Sequence, residues 1–308
     1  MRRSLTALAA VLALALPALA SPPSAASAAA APRPSCVVSL SPTATETLFA
    51  IGAGPQVQAV DTDSNYPTHG LPKKRINALE PSVEALIGVC RATKSHPSTK
   101  PDLVVIAYNA NGIAQKLAGF GVKVVTQSAP STLAGAYAQM ISLGRLTGHL
   151  SAAQALVARL KGEVTAAVAS VPAHPGKTLT AYYELDPTYY SLTSSTFVGA
   201  MLKSLGVVNI ADAKNTSADA GYPQLSAEYV VHADPKLIFL ADTRCCHQSA
   251  STLARRPGFA SVAAVRFHHV VGLDDDIASR WGPRLGILIG DLAAGVRSAL
   301  ADRSLWTR

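Results

Sequence analysis

The residues with the greatest chemical capacity crowd one stretch, Asp274-Asp275-Asp276-Ile277-Ala278-Ser279-Arg280-Trp281-Gly282-Pro283-Arg284. A guanidinium grips a carboxylate or phosphate through two parallel hydrogen bonds, and an indole offers a flat face to a large ring. Two readings are open for Arg280 and Arg284: they hold an anionic ligand, or they pair with the aspartates beside them. Tyr182, Tyr183, Tyr189 and Tyr190 form a second cluster, dense in a chain with 6% aromatic residues. Alternation along a strand would bury half of them and leave the others to a ligand. Arg244-Cys245-Cys246-His247 brings two sulfurs and an imidazole together, which suits a disulfide or a soft metal. Asp61-x-Asp63-x-Asn65 has the start of a calcium loop. Tyr66 stands where such a loop needs Gly, however, and Pro72 where it needs a closing Glu, so calcium is excluded. His268 and His269, adjacent at a strand start, would point to opposite faces and share no metal. No resident metal or cofactor is expected. The G-x-S-x-G, H-E-x-x-H, Walker A and G-x-G-x-x-G patterns are all missing, so no catalytic residue is assigned and no enzyme is expected.

Positioning these groups falls to strands alternating with helices. Val37-Val38-Ser39-Leu40 reads as a short buried strand, and Pro42 stops it. Thr43-Ala44-Thr45-Glu46 then has the form of a capping box. In that reading Thr43 accepts from a free helical N–H while Glu46 reaches back to the cap, and Ser41 and Thr43 sit at a turn suited to an anion. Strands are expected at 57–60, 103–107, 122–126, 178–183, 237–240 and 270–271, with capped helices beginning near Ser82 and Ser226. Such alternation implies parallel sheets, which bind ligands beyond the carboxyl ends of their strands.

A chain of 308 residues is long enough for two cores, and 49% apolar with 15% charged residues marks it as globular. Residues 1–20 carry Arg2 and Arg3, an apolar run and Ala18-Leu19-Ala20, the form of a secretory signal peptide. Residues 21–35, rich in Ala, Ser and Pro, read as a disordered spacer. Export to the periplasm or the cell exterior is expected. A lipid anchor on Cys36 is not, because Arg33-Pro34-Ser35 separates it from the apolar core of the signal. The net charge of +8 comes without a basic run or a nucleic-acid motif, so nucleic acid is not an expected partner.

The stretch Ser39-Leu40-Ser41-Pro42-Thr43-Ala44-Thr45-Glu46-Thr47-Leu48-Phe49-Ala50-Ile51-Gly52 resembles the opening of class III ABC-transporter substrate-binding proteins, the iron-complex and cobalamin family. Pro81-Ser82-Val83-Glu84-Ala85-Leu86, Lys100-Pro101-Asp102-Leu103-Val104-Val105 and Leu143-Gly144-Arg145-Leu146-Thr147-Gly148-His149 resemble further family segments in order. In relatives the first two of these lie closer together; here residues 88–99 add a loop with Cys90 and His96.

The resemblance implies an α/β protein with two Rossmann-like lobes, residues 36–147 and 172–308, joined by a single long helix within 148–171. Its role would be to capture a ferric siderophore, or alternatively cobalamin or haem, between the lobes. Delivery would be to an ABC permease and its ATPase, with the binding protein acting as a monomer. Ligand-lining positions carried over are Ser41, Thr43, Asp63, Asn65, Tyr66, Tyr108, Asn109, Tyr183, Glu184, Tyr189, Arg244, Arg280, Trp281 and Arg284. Arg280 and Arg284 favour an anionic siderophore among these ligands. Glu84 and Glu228, one on each lobe just inside a helix, match glutamates that dock onto permease arginines. Four cysteines allow three pairings. Cys36 opens the first strand and Cys90 precedes the strand at Leu103, both at the amino-terminal edge of one sheet. Cys36–Cys90 and Cys245–Cys246 are therefore the expected disulfides, the second a strained ring between neighbours.

Overall fold

The computed structural model describes residues 33–94 and 96–307. The expected signal peptide and most of the spacer lie outside the described residues. Among the described residues, nine strands build two sheets. Strands β1 (Val37–Leu40), β2 (Val57–Asp61), β3 (Arg75–Ile76), β4 (Leu103–Ile106) and β5 (Lys123–Thr126) lie in the order β3-β2-β1-β4-β5. Strands β6 (Leu179–Glu184), β7 (Val207–Asn209), β8 (Leu237–Leu240) and β9 (Val270–Gly272) lie in the order β7-β6-β8-β9. All pairings within both sheets are parallel. The strands β3 and β7 were not foreseen; β3 is two residues long, too short to show any period.

Parallel strands need helical crossovers. In the first lobe these are α1 (Pro42–Ala50), α2 (Val83–Ile87) and α3 (Ile113–Ala118). Then come α4 (Leu133–Thr147) and α5 (Leu150–Ala169). The second lobe adds α6 (Phe197–Ser204), α7 (Ala227–Ala233), α8 (Ala250–Ala254), α9 (Ala263–Arg266), α10 (Asp275–Ser279) and α11 (Leu285–Ala301). The 20 residues of α5 span about 30 Å at 1.5 Å per residue, enough to run from one lobe to the other. Its tight entry depends on Gly148, whose φ of 76° ends α4 in the left-handed region that Gly tolerates without steric cost.

Alternation along the strands separates three cores. Val37, Val57 and Val105 of the first sheet and Leu179, Ala181, Tyr183 and Phe239 of the second share one apolar body with α1, α4, α5, α6 and α11. The opposite face of the first sheet, with Val38, Leu40 and Val104, packs with Leu86 of α2 and Leu117 of α3. The opposite face of the second sheet holds Tyr182, Ile238 and Leu240 with Phe259. On α11 the buried Leu285, Leu288, Ile289, Leu292 and Val296 recur every three or four residues and face this shared body. Each such side chain contributes about 1.5–3 kcal/mol by leaving water. The two lobes therefore meet through a common helical layer.

The capping box read from Thr43 and Glu46 is corrected. Ser41 is the N-cap of α1, its hydroxyl accepting from the Ala44 N–H at 3.3 Å, while Thr43 lies inside the helix and Glu46 turns to the other lobe. Pro42 is tolerated in the first turn because no intrahelical N–H donor is needed there. The caps at Ser82 and Ser226 are as expected, accepting from Ala85 and Tyr229 at 3.1 Å each. Cys36 and Cys90 form a disulfide, whereas Cys245 and Cys246 are separate thiols and not the expected bonded pair. Among the described residues, no helix is long and apolar enough to cross a membrane.

Candidate ligand cleft between the lobes

The loop after β2 in the first lobe meets the segment after β9 in the second. A buried polar chain holds the first side. Thr45 donates to Ser39 at 2.9 Å, and Ser64 joins Thr45 at 2.8 Å and Asp61 at 2.5 Å. The Asp63 N–H donates to the Asp61 carboxylate at 2.9 Å, and Arg75 donates to the Ser64 carbonyl. Burial pushes the Asp61 carboxyl above its ordinary range despite the hydrogen bonds from Ser64 and Asp63. The loop bearing Asp63, Asn65 and Tyr66 is thereby tied to β1 and α1.

On the second side, Asp274 caps α10 by accepting from Ile277 at 3.2 Å. Asp275 accepts from Thr243 Oγ1 at 3.1 Å and from the N–H groups of Arg244 and Cys245 at 3.0 and 2.7 Å. Partial burial alone would raise the Asp275 carboxyl, but the Cys245 and Arg244 N–H groups hold it below the usual range. Arg244 pairs with Asp274 at 2.9 Å.

Across the seam, Arg280 donates to Glu46 at 2.9 Å, to Asn65 Oδ1 at 2.8 Å, to the Asp63 carbonyl at 3.1 Å and to Asp276 at 2.6 Å. Arg284 grips both oxygens of Glu46, Nε at 2.9 Å and Nη2 at 2.6 Å, and lies over the Tyr66 ring. Asn65 Nδ2 closes the circuit by donating to Asp276 at 2.8 Å. Glu46 is only 2% exposed. Beside the Glu46–Arg284 pair a cavity of about 620 Å³ opens towards α5, walled by Phe49, Tyr66, Pro67, Arg159 and Ile287.

The structure brings some expected site residues to the seam and removes others. Asp63, Asn65, Tyr66, Arg244, Arg280 and Arg284 meet there. Tyr108 and Asn109 are exposed just past β4, and Asn109 Oδ1 accepts from the Ala114 N–H at 2.9 Å. Ser41 and Thr43 are buried, the first spent on its capping bond. Tyr183 and Glu184 are corrected as ligand contacts, since both are 0% exposed inside the second lobe. Tyr182 is equally buried on the opposite face, so strand alternation here buried both neighbours rather than freeing one. Glu184 is gripped by Arg256 at 2.6 and 2.7 Å, and Arg256 in turn lies against Tyr189, which stacks on Phe259. Trp281 is half-buried at the seam. Its Nε1 donates to Gln139 of α4 at 2.7 Å and its ring meets Phe197 edge-on. The sequence did not reveal Glu46 as a seam residue; its placement in an apparent capping box masked it. Nor did it reveal Asp242, a fully buried carboxylate with no hydrogen-bond partner among the described residues. Burial and the neighbouring Glu184 push its pKa up to about 7.

Two parallel α/β lobes meeting at their strand ends through a helical layer define a two-lobed solute-binding protein. The periplasmic binding protein family matches residues 37–277, and the chain belongs to that family. It resembles an uncharacterised ABC transporter substrate-binding lipoprotein of Bacillus subtilis, 28% identical over 272 residues, covering 85% of this chain and 80% of that protein. It also resembles a cobalamin-binding protein of Halobacterium salinarum, 30% identical over 209 residues, covering 67% of this chain and 53% of that protein. Among solved structures, a possible iron-binding periplasmic solute-binding protein of Staphylococcus epidermidis superposes with a TM-score of 0.71 at 26% identity. That match covers 88% of this chain and all of the other. The family is one of extracytoplasmic solute-binding proteins that serve ABC transporters, not of enzymes.

Proposed function

We propose that this protein captures a corrinoid of the cobalamin type between its lobes and hands it to an ABC permease driven by its ATPase. The observation that carries this reading is the state of the seam arginines. Arg244, Arg280 and Arg284 each already hold a carboxylate from Asp274, Asp276 or Glu46. An anionic ferric siderophore, or the carboxylates of haem, would have to displace those partners and would meet their negative charge. A corrinoid makes no such demand. Its rim carries neutral carboxamides around an apolar macrocycle, which calls for aromatic faces and neutral hydrogen-bonding groups. Tyr66, Tyr108 and Tyr190 are 41%, 45% and 41% exposed, and Asn65 and Asn109 supply amides. The cobalamin-binding relative from Halobacterium supports the same ligand class.

Glu84 and Glu228 complete the reading as docking points for permease cations. Both are exposed in the first turn of a Ser-capped helix, and their own N–H groups and the caps Ser82 and Ser226 hold both carboxyls below the ordinary range. They stay charged across the range in which a transporter works.

The test is tryptophan fluorescence and calorimetry of the mature protein with cyanocobalamin, a ferric hydroxamate siderophore and haem. Saturable one-to-one binding of cyanocobalamin is expected. Its quenching should largely vanish in Trp281→Phe, because Trp281 sits at the seam and Trp306 caps its indole on Ala299 elsewhere. Binding of the siderophore or haem with no response to cyanocobalamin overturns the ligand class. Silence from all three, by both methods, overturns the capture role.

A further inference from the structure

At the strand ends of the second lobe, residues 242–248 fold back onto a carboxyl group that the capture of a solute does not use. Glu184, the last residue of β6, stands in register with Leu240 of β8. The Ala241 N–H donates to the Glu184 carbonyl at 2.9 Å, so Asp242 follows directly beside it. Both acidic residues are 0% exposed. The charge of Glu184 is answered by two hydrogen bonds from Arg256. Asp242 has no such answer, since neither of its carboxylate oxygens has a hydrogen-bond partner among the described residues. The Tyr182 hydroxyl is likewise buried without a partner. The titratable and charged groups facing Asp242 are thus Glu184 and Tyr182 from β6 and Arg256 beyond α8.

Two buried carboxylates beside one guanidinium repel each other, whereas a pair with one proton between them does not. As an acid, Asp242 becomes a donor to Glu184, which removes both the repulsion and the unanswered acceptors. Burial first and the Glu184 charge second push the Asp242 pKa up to about 7. The following loop is built onto this pair. The N–H groups of Cys246 and Gln248 both donate to the Asp242 carbonyl at 3.3 Å. Gln248 Oε1 accepts from Arg256 at 2.7 Å, and Gln248 Nε2 donates to the Cys246 carbonyl at 2.9 Å. On the cleft side, Thr243 donates to the Leu273 carbonyl at 2.6 Å, and the Arg244 and Cys245 N–H groups hold Asp275. One loop therefore joins the buried carboxyl pair to α10, whose Asp276 and following Arg280 reach the first lobe.

We propose that Asp242 is a positioning residue for the cleft, a latch worked by a single proton. As a neutral acid hydrogen-bonded to Glu184 it holds residues 242–248 closed. As an anion it must reach water, and the loop opens to hydrate it. The proton goes to solvent, and no covalent bond between heavy atoms changes. Ionisation sets a second, uncompensated charge beside Glu184, and a buried charge without a partner costs several kcal/mol until solvent reaches it. The latch is closed below pH 7 and opens above it. Opening releases Asp275 and with it the α10 side of the seam. The capture role proposed above enters only through the consequence, a weaker hold on the solute at alkaline pH.

Amide hydrogen exchange of the mature protein without ligand, corrected for the intrinsic effect of pH on exchange, reads the latch directly. Protection across residues 243–248 is expected to fall about tenfold between pH 6 and pH 8, with a midpoint near 7. Asp242→Asn keeps a donor and cannot ionise, so its protection should hold at the pH 6 value throughout. An infrared titration of the wild-type protein should lose a protonated-carboxyl band over the same range, a reading that needs no variant to fold. Calorimetry with cyanocobalamin should give affinity about threefold weaker at pH 8 than at pH 6 in wild type, and no such change in Asp242→Asn. Protection that is flat with pH, lost equally in Asp242→Asn, or out of step with the infrared band overturns the latch. So does a pH-independent affinity alongside an opening loop. Failure to bind cyanocobalamin at either pH overturns the corrinoid reading instead, and exchange with infrared still decides the latch.

Discussion

Glu46 is the most demanding side chain in the seam, and replacing it measures whether the lobes close in solution as they do here. Glu46→Ala removes the acceptor of three charge-assisted hydrogen bonds, one from Arg280 and two from Arg284. Arg280 keeps Asp276, Asn65 and the Asp63 carbonyl, so its loss is partial. Arg284 keeps only the face of Tyr66. Taking one partner from a buried ion pair costs about 3–5 kcal/mol because the remaining charge stays desolvated. Glu46→Gln, which keeps an acceptor but loses the charge, should cost less, about 1–3 kcal/mol. The double replacement Glu46→Leu with Arg284→Met should recover most of the loss, since an apolar pair of similar volume needs no solvation. Equilibrium unfolding in urea of the four proteins gives these differences directly. A loss below about 1 kcal/mol in Glu46→Ala would refute the reasoning, because it would mean that water reaches Glu46 and both arginines in the free protein and that the seam stands open.

Three further outcomes follow from other parts of the fold. Asp242 has its pKa raised to about 7 in the folded protein, so folding favours its protonated form. Its contribution is fully present at low pH and is lost as pH rises towards 7. Asp242→Asn should therefore unfold at a higher temperature than wild type at pH 8, with the difference shrinking through pH 5 and vanishing near pH 4, the ordinary range of an unfolded carboxyl, as read by circular dichroism. Replacing Cys36 and Cys90 together by Ser opens a crosslink across 54 residues, for which loop-closure entropy gives about 4 kcal/mol of lost stability. Denaturant midpoints with and without a reductant check that value and should coincide for the double variant. Reversing both docking charges, Glu84→Arg with Glu228→Arg, should leave cyanocobalamin binding unchanged while reducing uptake by cells that carry the transporter. Undiminished uptake would remove those residues from the docking surface.

Much of the scaffold was legible in the chain because its signals are local. Runs such as Val37-Val38-Ser39-Leu40 and Leu237-Ile238-Phe239-Leu240 are short, apolar and bounded by breakers, which parallel strands buried on both faces require. The Ser caps of α2 and α7 involve hydrogen bonds three residues apart, so the residues themselves predict them. The long Ala-rich run of α5 and the family segments around it placed the two lobes in order. The Cys36–Cys90 bond followed from topology, since both cysteines precede parallel strands.

What only the tertiary structure decided depends on partners far apart in sequence. Glu46 meets Arg280 and Arg284 across more than two hundred residues, and no local pattern distinguishes that role from a helix cap. Whether Arg280 and Arg284 were free for an anion depended on which carboxylates the fold delivered to them, and this moved the proposed ligand from a ferric siderophore to a neutral corrinoid. Tyr183, Glu184 and Trp281 carry the right chemistry for a ligand, yet packing assigned them to the core, to Arg256 and to Gln139. The chain by itself determined its strands, its helix starts, its family and the covalent closure of one loop, because those rest on neighbours in sequence. Only the tertiary structure decided which charges were already satisfied, because desolvation and pairing are properties of surroundings that distant segments supply.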